Sequence, residues 1–183
     1  MITFITGNDG KFSEAQAVLS DVELVQAKLH LPEIQALNPD EVLKEKLRAA
    51  KGLVSGACIV EDSSLTLACL GNALPGPFIK WFEDALTVQG IYDLTHKYGN
   101  YEAIIHTHIG YLDEEGVMHF FSASMRGTIV PPRGDKDFGY GPIFMPEGSC
   151  KTFGEMERDE KYALSSRGEV FRTLRDFLVK QNP

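Results

Sequence analysis

Apolar positions along the chain recur in short runs of two kinds, and together they set out an alternation of strands and helices. Met1 to Ile5 reads as a short buried strand. It runs into Thr6-Gly7-Asn8-Asp9-Gly10-Lys11, after which Phe12, Ala15, Val18 and Leu19 fall on one helix face. Val22 to Ala27 predicts a second strand. Asn38-Pro39-Asp40-Glu41 has the form of a helix start, with Asn38 able to cap, Pro39 suited to the first turn and Glu41 at the capping-box position. That helix is expected to reach about Leu53 and to stop at Gly56. Ala57 to Glu61 predicts a strand that gives way to a polar loop at Glu61-Asp62-Ser63-Ser64. Leu74-Pro75-Gly76-Pro77 predicts a rigid turn, followed by a helical stretch through Trp81 and Phe82 and a further helix over Thr87 to Lys97. Tyr101 to Leu112 and Val117 to Val130 flank Asp113-Glu114-Glu115-Gly116 and predict a long hairpin. Pro131 to Pro142 reads as a Pro/Gly-rich loop, and a last helix buries Val170, Phe171, Leu174, Phe177 and Leu178. The order predicts a mixed α/β fold. With no repeat, low-complexity tract or linker, a single domain over residues 1–183 is expected.

Composition narrows the class without naming a function. The 183 residues are 43% hydrophobic and 24% charged, which suits one sizeable core and excludes collagen-like, disordered and coiled-coil chains. No apolar run approaches the roughly 20 residues of a membrane span, and Met1-Ile2-Thr3-Phe4 lacks a charged segment before an apolar one. A soluble protein without an export signal or a membrane partner is therefore expected. The net charge of -8 argues against nucleic acid as a partner, although a local basic pocket could still take a small anion. Cys58, Cys69 and Cys150 are odd in number and lack metal spacing, which suits a reducing cytoplasm.

Four groups of residues carry candidate chemistry. The Thr6–Lys11 segment joins a strand to a helix N-terminus, where backbone N–H groups, the helix dipole and Lys11 favour an anion; an ordinary strand–helix turn is the alternative. Glu33 and Asp62, with Glu61 beside it, are acids expected in loops after strands. Such carboxylates could hold Mg²⁺ and activate water, or could simply be solvated. Lys46, Lys80 and Lys161 lie in apolar or structured settings; Lys80, between Ile79 and Trp81, is expected to need a partner unless its head reaches solvent. His106 and His108 alternate on one strand, and the hairpin turn is expected to put His119 on the same face. A polar sheet face accounts for them better than zinc does. Ser63 and Ser64 lack a nucleophile elbow.

These segments, in this order, resemble the Ham1-like inosine triphosphate pyrophosphatase family. The matching residues are Thr6-Gly7-Asn8 with Lys11, Leu31-Pro32-Glu33, Glu61-Asp62-Ser63, Leu74-Pro75-Gly76-Pro77 with Lys80-Trp81-Phe82, Arg133-Gly134 with Phe138-Gly139, and Lys161 with Ser165 and Arg167. The resemblance implies two lobes around a long twisted mixed sheet, with the active site in the cleft between them, and a homodimer. It further implies hydrolysis of ITP, dITP and XTP to the monophosphate and pyrophosphate, assisted by Mg²⁺, with Mn²⁺ as a substitute. Carried over residue by residue, Thr6, Gly7, Asn8, Lys11 and Lys46 would hold phosphates. Glu33 would bind metal, and Asp62 would be the metal-linked residue that activates water. Ser63 and Lys80 would sit near the triphosphate. Phe138, Gly139 and Tyr140 would lie at the base, with Lys161, Ser166 and Arg167 near its edge.

Two positions depart from the family pattern. Ser165-Ser166-Arg167 stands where Ser-His-Arg is usual, and Phe138-Gly139-Tyr140-Gly141-Pro142 where Phe-Gly-Trp-Asp-Pro is usual. The second removes an acid and is expected to open volume beside the base. Both fall in the base pocket, so a pyrophosphatase with relaxed base preference stays open as an alternative. A nucleotide-binding module without turnover is a second alternative, against which the retention of Glu33, Asp62, Lys11 and Lys80 speaks.

Overall fold

The computed structural model describes residues 1–181 and is a mixed α/β protein. Its strands are β1 (Ile2–Ile5), β2 (Leu24–Ala27), β3 (Cys58–Leu67), β4 (Pro75–Gly76), β5 (Glu102–Leu112), β6 (Met118–Ile129) and β7 (Phe144–Pro146). Its helices are α1 (Asp9–Val18), α2 (Pro39–Ala50), α3 (Ile79–Tyr98), α4 (Arg158–Leu164) and α5 (Ser166–Gln181). The strands form a seven-stranded sheet in the order β2-β1-β3-β5-β6-β7, with β4 on β3. β1 pairs in parallel with β2 and β3, whereas β4 on β3 and β7 on β6 are antiparallel.

The chain divides into two compact units: Met1–Asp62, Thr107–Ala123 and the segment from Arg167 onward form one, and Ser63–His106 with Ser124–Ser166 the other. In the first unit the sheet is covered on both faces. Phe4, Ile59, Ile109 and Tyr111 pack with Ala15 of α1, with Leu19 at its end, and with Val170, Phe171, Leu174 and Leu178 of α5. Cys58, Val60 and Leu112 pack instead with Leu43, Leu47 and Ala50 of α2. Strand residues alternate between these faces because successive side chains point to opposite sides. In the second unit, Leu65, Leu67, Ala103, Ile105 and Ile129 pack with Ile79 and Ile91 of α3 and with Ile143, Phe144 and Phe153.

Local chemistry accounts for most element ends. The Asn8 side chain accepts from Lys11 N at the start of α1, and Asn38 accepts from Asp40 N at the start of α2, with Pro39 in its first turn. α2 ends at Ala50, earlier than expected, and turns carry the chain to Gly56 at φ +76°. α3 is broken at Thr87 (φ 62°, ψ 171°), so the two predicted helices abut with no intervening loop. Asp113 N donates to Val117 O and closes the hairpin.

Two expectations fail. Glu61-Asp62-Ser63-Ser64 is not a loop: β3 continues without a break to Leu67. Several of its polar side chains find partners in the buried strand, Thr66 for instance donating to Ile104 O at 3.4 Å. His119 also does not share a face with His106 and His108. It stacks on Tyr111 (5.9 Å) and lies against Phe177 (4.7 Å), and Tyr111 is at an odd offset from His108 along β5, which puts the two on opposite faces. His119 Nε2 pairs with Asp113 Oδ2 at 2.8 Å, and His106 Nε2 lies 3.2 Å from Thr66 Oγ1.

Candidate active site

In the first unit, strand alternation sends the neighbours Glu61 and Asp62 to opposite faces, and each gathers its own charges. On the α2 face, the buried Lys46 places its Nζ 3.2 Å from Asp62 Oδ1 and 2.8 Å from Glu33 Oε1. Glu33 reaches it from the irregular segment that follows β2. Burial pulls the Lys46 ammonium down, but the Asp62 and Glu33 carboxylates outweigh it and hold its pKa above the usual lysine value. Asp62 Oδ2 is buried and has no hydrogen-bond partner among the described residues. A buried carboxylate oxygen without a donor is costly, and it calls for a partner such as water or a bound ion.

On the α1 and α5 face, Glu61 is the shared anchor of two cations. Lys11 Nζ lies 3.2 Å from Glu61 Oε1, and Arg167 Nε donates to both Glu61 oxygens at 3.0 and 3.1 Å. The same guanidinium donates from Nη1 to Glu14 Oε2 at 2.9 Å. Glu14 is fully buried and Arg167 only 7% exposed. Lys11 ties the Thr6–Lys11 turn to this network. Thr6 Oγ1 accepts from Asn8 N at 3.2 Å, and a Cβ on Gly7 would meet nothing within 4 Å, so backbone there stays open to approach.

In the second unit, the Pro131–Pro142 loop is pinned by its own backbone. Arg133 N donates to Pro142 O, Lys136 N donates to Gly154 O, and Thr152 Oγ1 donates to Arg133 O. This sets Phe138, 43% exposed, beneath the Lys161 ammonium at 5.1 Å. Lys161 Nζ also pairs with Asp137 Oδ1 at 2.7 Å. Gly139 has φ +58°, and a Cβ on it would meet Glu83 Oε1 at 2.9 Å. Tyr140 packs against the core of this unit, Ser63 is half-buried on β3, and Ser166 is buried at the start of α5. Gly141 does not leave the open volume expected of it, because the Asp137 side chain fills the space.

Lys80 lies in the first turn of α3 and is exposed, as is Trp81 at 66%. Its head reaches solvent, so it needs no buried partner. Sequence reasoning passed over Glu14 and Asp137. A signal existed for the first, since Glu14 follows Lys11 at helical spacing beside the apolar Ala15 and so puts a charge on the buried face. Among the described residues, no three His, Cys, Asp or Glu side chains come together as a closed metal cage. Mg²⁺ does not require one, because it is held by one or two carboxylates and substrate phosphates and keeps several waters. Glu33 and Asp62, gathered on one ammonium and with the Asp62 Oδ2 atom unpartnered, fit that demand.

The fold is that of solved Ham1 proteins. It superposes on a Staphylococcus aureus Ham1 protein with a TM-score of 0.82 at 20% identity, covering 100% of both chains. A HAM1 protein from Coxiella burnetii gives 0.79 at 25% identity, with 98% of each chain covered. The sequence itself matches the Ham1 family over residues 2–177, and the chain belongs to that family. Among its relatives are proteins named inosine triphosphate pyrophosphatase. The one from Schizosaccharomyces pombe is 37% identical over 98% of this chain and 96% of its own length. The one from Scheffersomyces stipitis is 34% identical over 98% of each.

Proposed function

We propose that this chain hydrolyses non-standard purine nucleoside triphosphates, ITP, dITP and XTP, to the monophosphate and pyrophosphate. The observation that carries the reading is the Asp62 carboxylate, with Oδ1 held by Lys46 and Oδ2 buried without a partner among the described residues, in a chain whose relatives over nearly their full length bear the name inosine triphosphate pyrophosphatase.

In this reading Asp62 Oδ2 takes a proton from the water that attacks the α-phosphorus; the new P–O bond forms as the α–β anhydride breaks and pyrophosphate leaves. Lys11, Lys80, Lys46, Ser63 and the backbone N–H groups of Thr6, Gly7 and Asn8 bind the phosphates and offset the charge that develops on their oxygens. The Glu61 carboxylate keeps Lys11 in place, and the raised pKa of Lys46 keeps it an ammonium at neutral pH. Glu33 and Asp62 would hold Mg²⁺, or Mn²⁺ in its place, which when bound neutralises phosphate charge and orients the triphosphate. Phe138 and Tyr140 would flank the base at Gly139, with Lys161, Ser166 and Arg167 at its edge. Lysine and arginine are donor-only, which suits a 6-oxo purine and not the 6-amino group of adenine. The reading includes a single domain, a homodimer and a cytoplasmic setting without nucleic acid. Among the described residues no helix is long and apolar enough to cross a membrane.

The test is pyrophosphate release by the purified chain with Mg²⁺ over ITP, dITP, XTP, GTP, ATP and pyrimidine triphosphates. Preference for ITP and XTP is expected; release from none of them overturns the proposal.

A further inference from the structure

Gly141 is a glycine for a reason outside its own backbone. It lacks the left-handed φ of Gly134 (+78°) and Gly139 (+58°), so its conformation admits any residue. A Cβ built on it, however, would stand 2.2 Å from Asp137 Oδ2, 2.6 Å from its Cγ and 2.7 Å from its Cβ. The three nearest atoms all belong to one side chain. Asp137 therefore occupies the space that a side chain at 141 would take, and it is a carboxylate where the family pattern has its acid.

The same carboxylate has a defined task. Its Oδ1 lies 2.7 Å from Lys161 Nζ, and the two side chains are only 8% and 10% exposed. The ammonium is further bracketed by the rings of Phe138 at 5.1 Å and Phe153 at 5.6 Å. A lysine on a flexible four-carbon stem is confined here by one charge and two aromatic faces.

We propose that Asp137 is the positioning residue of the base pocket. From four positions upstream it supplies the carboxylate missing at Gly141, and it fixes the Lys161 ammonium over Phe138, where a purine edge is read. The inference rests on the nucleotide reading above and adds to it the residue that sets selectivity. The acid has moved along the chain, so the pocket retains a fixed donor. Discrimination between ITP and ATP then survives the departure at Gly141, because a site built to donate to a 6-oxo group leaves that donor unpaired against adenine.

An exchange of the acid between the two positions tests this. Steady-state kcat and KM for ITP and ATP, inhibition constants for inosine monophosphate and for pyrophosphate, and melting temperatures are measured for the wild-type chain, D137N, D137G, G141D and D137G/G141D. D137N and D137G should lose up to about a hundredfold in kcat/KM for ITP, chiefly through KM, the usual scale for a displaced positioning group. Inosine monophosphate should inhibit these variants more weakly while pyrophosphate inhibits as before, a split that general loosening of the fold would not produce. G141D alone should melt low, since its side chain collides with Asp137. D137G/G141D should melt near the wild type and regain more than about tenfold of the lost kcat/KM. An unchanged KM for ITP in D137N, or a well-folded D137G/G141D no better than D137G, overturns the inference. Pyrophosphate release from no nucleotide by the wild type would overturn the functional reading instead. Calorimetric binding of inosine monophosphate to the wild type and D137N would then decide the present inference: equal affinity refutes it and weaker binding by D137N supports it.

Discussion

Replacing Arg167 by Met removes the cation between Glu14 and Glu61 while nearly keeping its volume. The guanidinium donates to both carboxylates, at 3.0 and 3.1 Å to Glu61 and 2.9 Å to Glu14, with the Glu14 and Glu61 side chains 0% and 1% exposed. Removing one partner of such a buried pair costs about 3–5 kcal/mol, because a desolvated charge loses its compensation. Glu61 keeps Lys11 at 3.2 Å, which argues for the lower end, about 3 kcal/mol. For a domain of this size that is a fall in melting temperature of roughly 6–12 °C. The loss should be insensitive to salt, since buried pairs are weakly screened. R167K should recover only part, because a single ammonium cannot span both acids as Nε and Nη1 do. Denaturant and thermal unfolding of the wild type, R167M and R167K, at two salt concentrations, would read this. A loss below about 1 kcal/mol, or one abolished by salt, would show that the network is not stabilising in the way its burial implies.

Three further outcomes are expected. D62N should fold and bind nucleotide, since Lys46 keeps Glu33, while turnover falls by about 10²–10⁴; near-normal kcat would move the base to another residue. K80A should raise KM for every triphosphate alike, because the reading gives this exposed lysine to phosphate; an effect confined to one base would contradict it. Burial holds the His108 imidazole pKa below the usual value against the opposing pull of Asp40 and Asp62. A depressed folded pKa contributes stability above the unfolded value of about 6.5 and loses it as pH falls. Melting temperature should thus drop less on acidification through that range in H108Q than in the wild type; an equal drop would refute the assignment.

What the sequence determined by itself was local. The Asn38 cap, the Asp113–Gly116 turn and the apolar face of α5 follow from short-range rules about donors, turn residues and periodicity, and the structure has each of them. The chemical cast was legible too, since acids, lysines and glycines stand out one by one. Their company was not. Glu61 and Asp62 read as a polar loop because two charges in succession rarely belong in a buried strand. Lys11 from α1, Arg167 from α5 and Lys46 from α2 make the strand possible, and they come from segments distant in the chain. Nor could a one-dimensional pattern show that Asp137 fills the space beside Gly141, or that His119 turns away from His108. Burying a charge is favourable only when its partner is in place, and packing decides where that partner is.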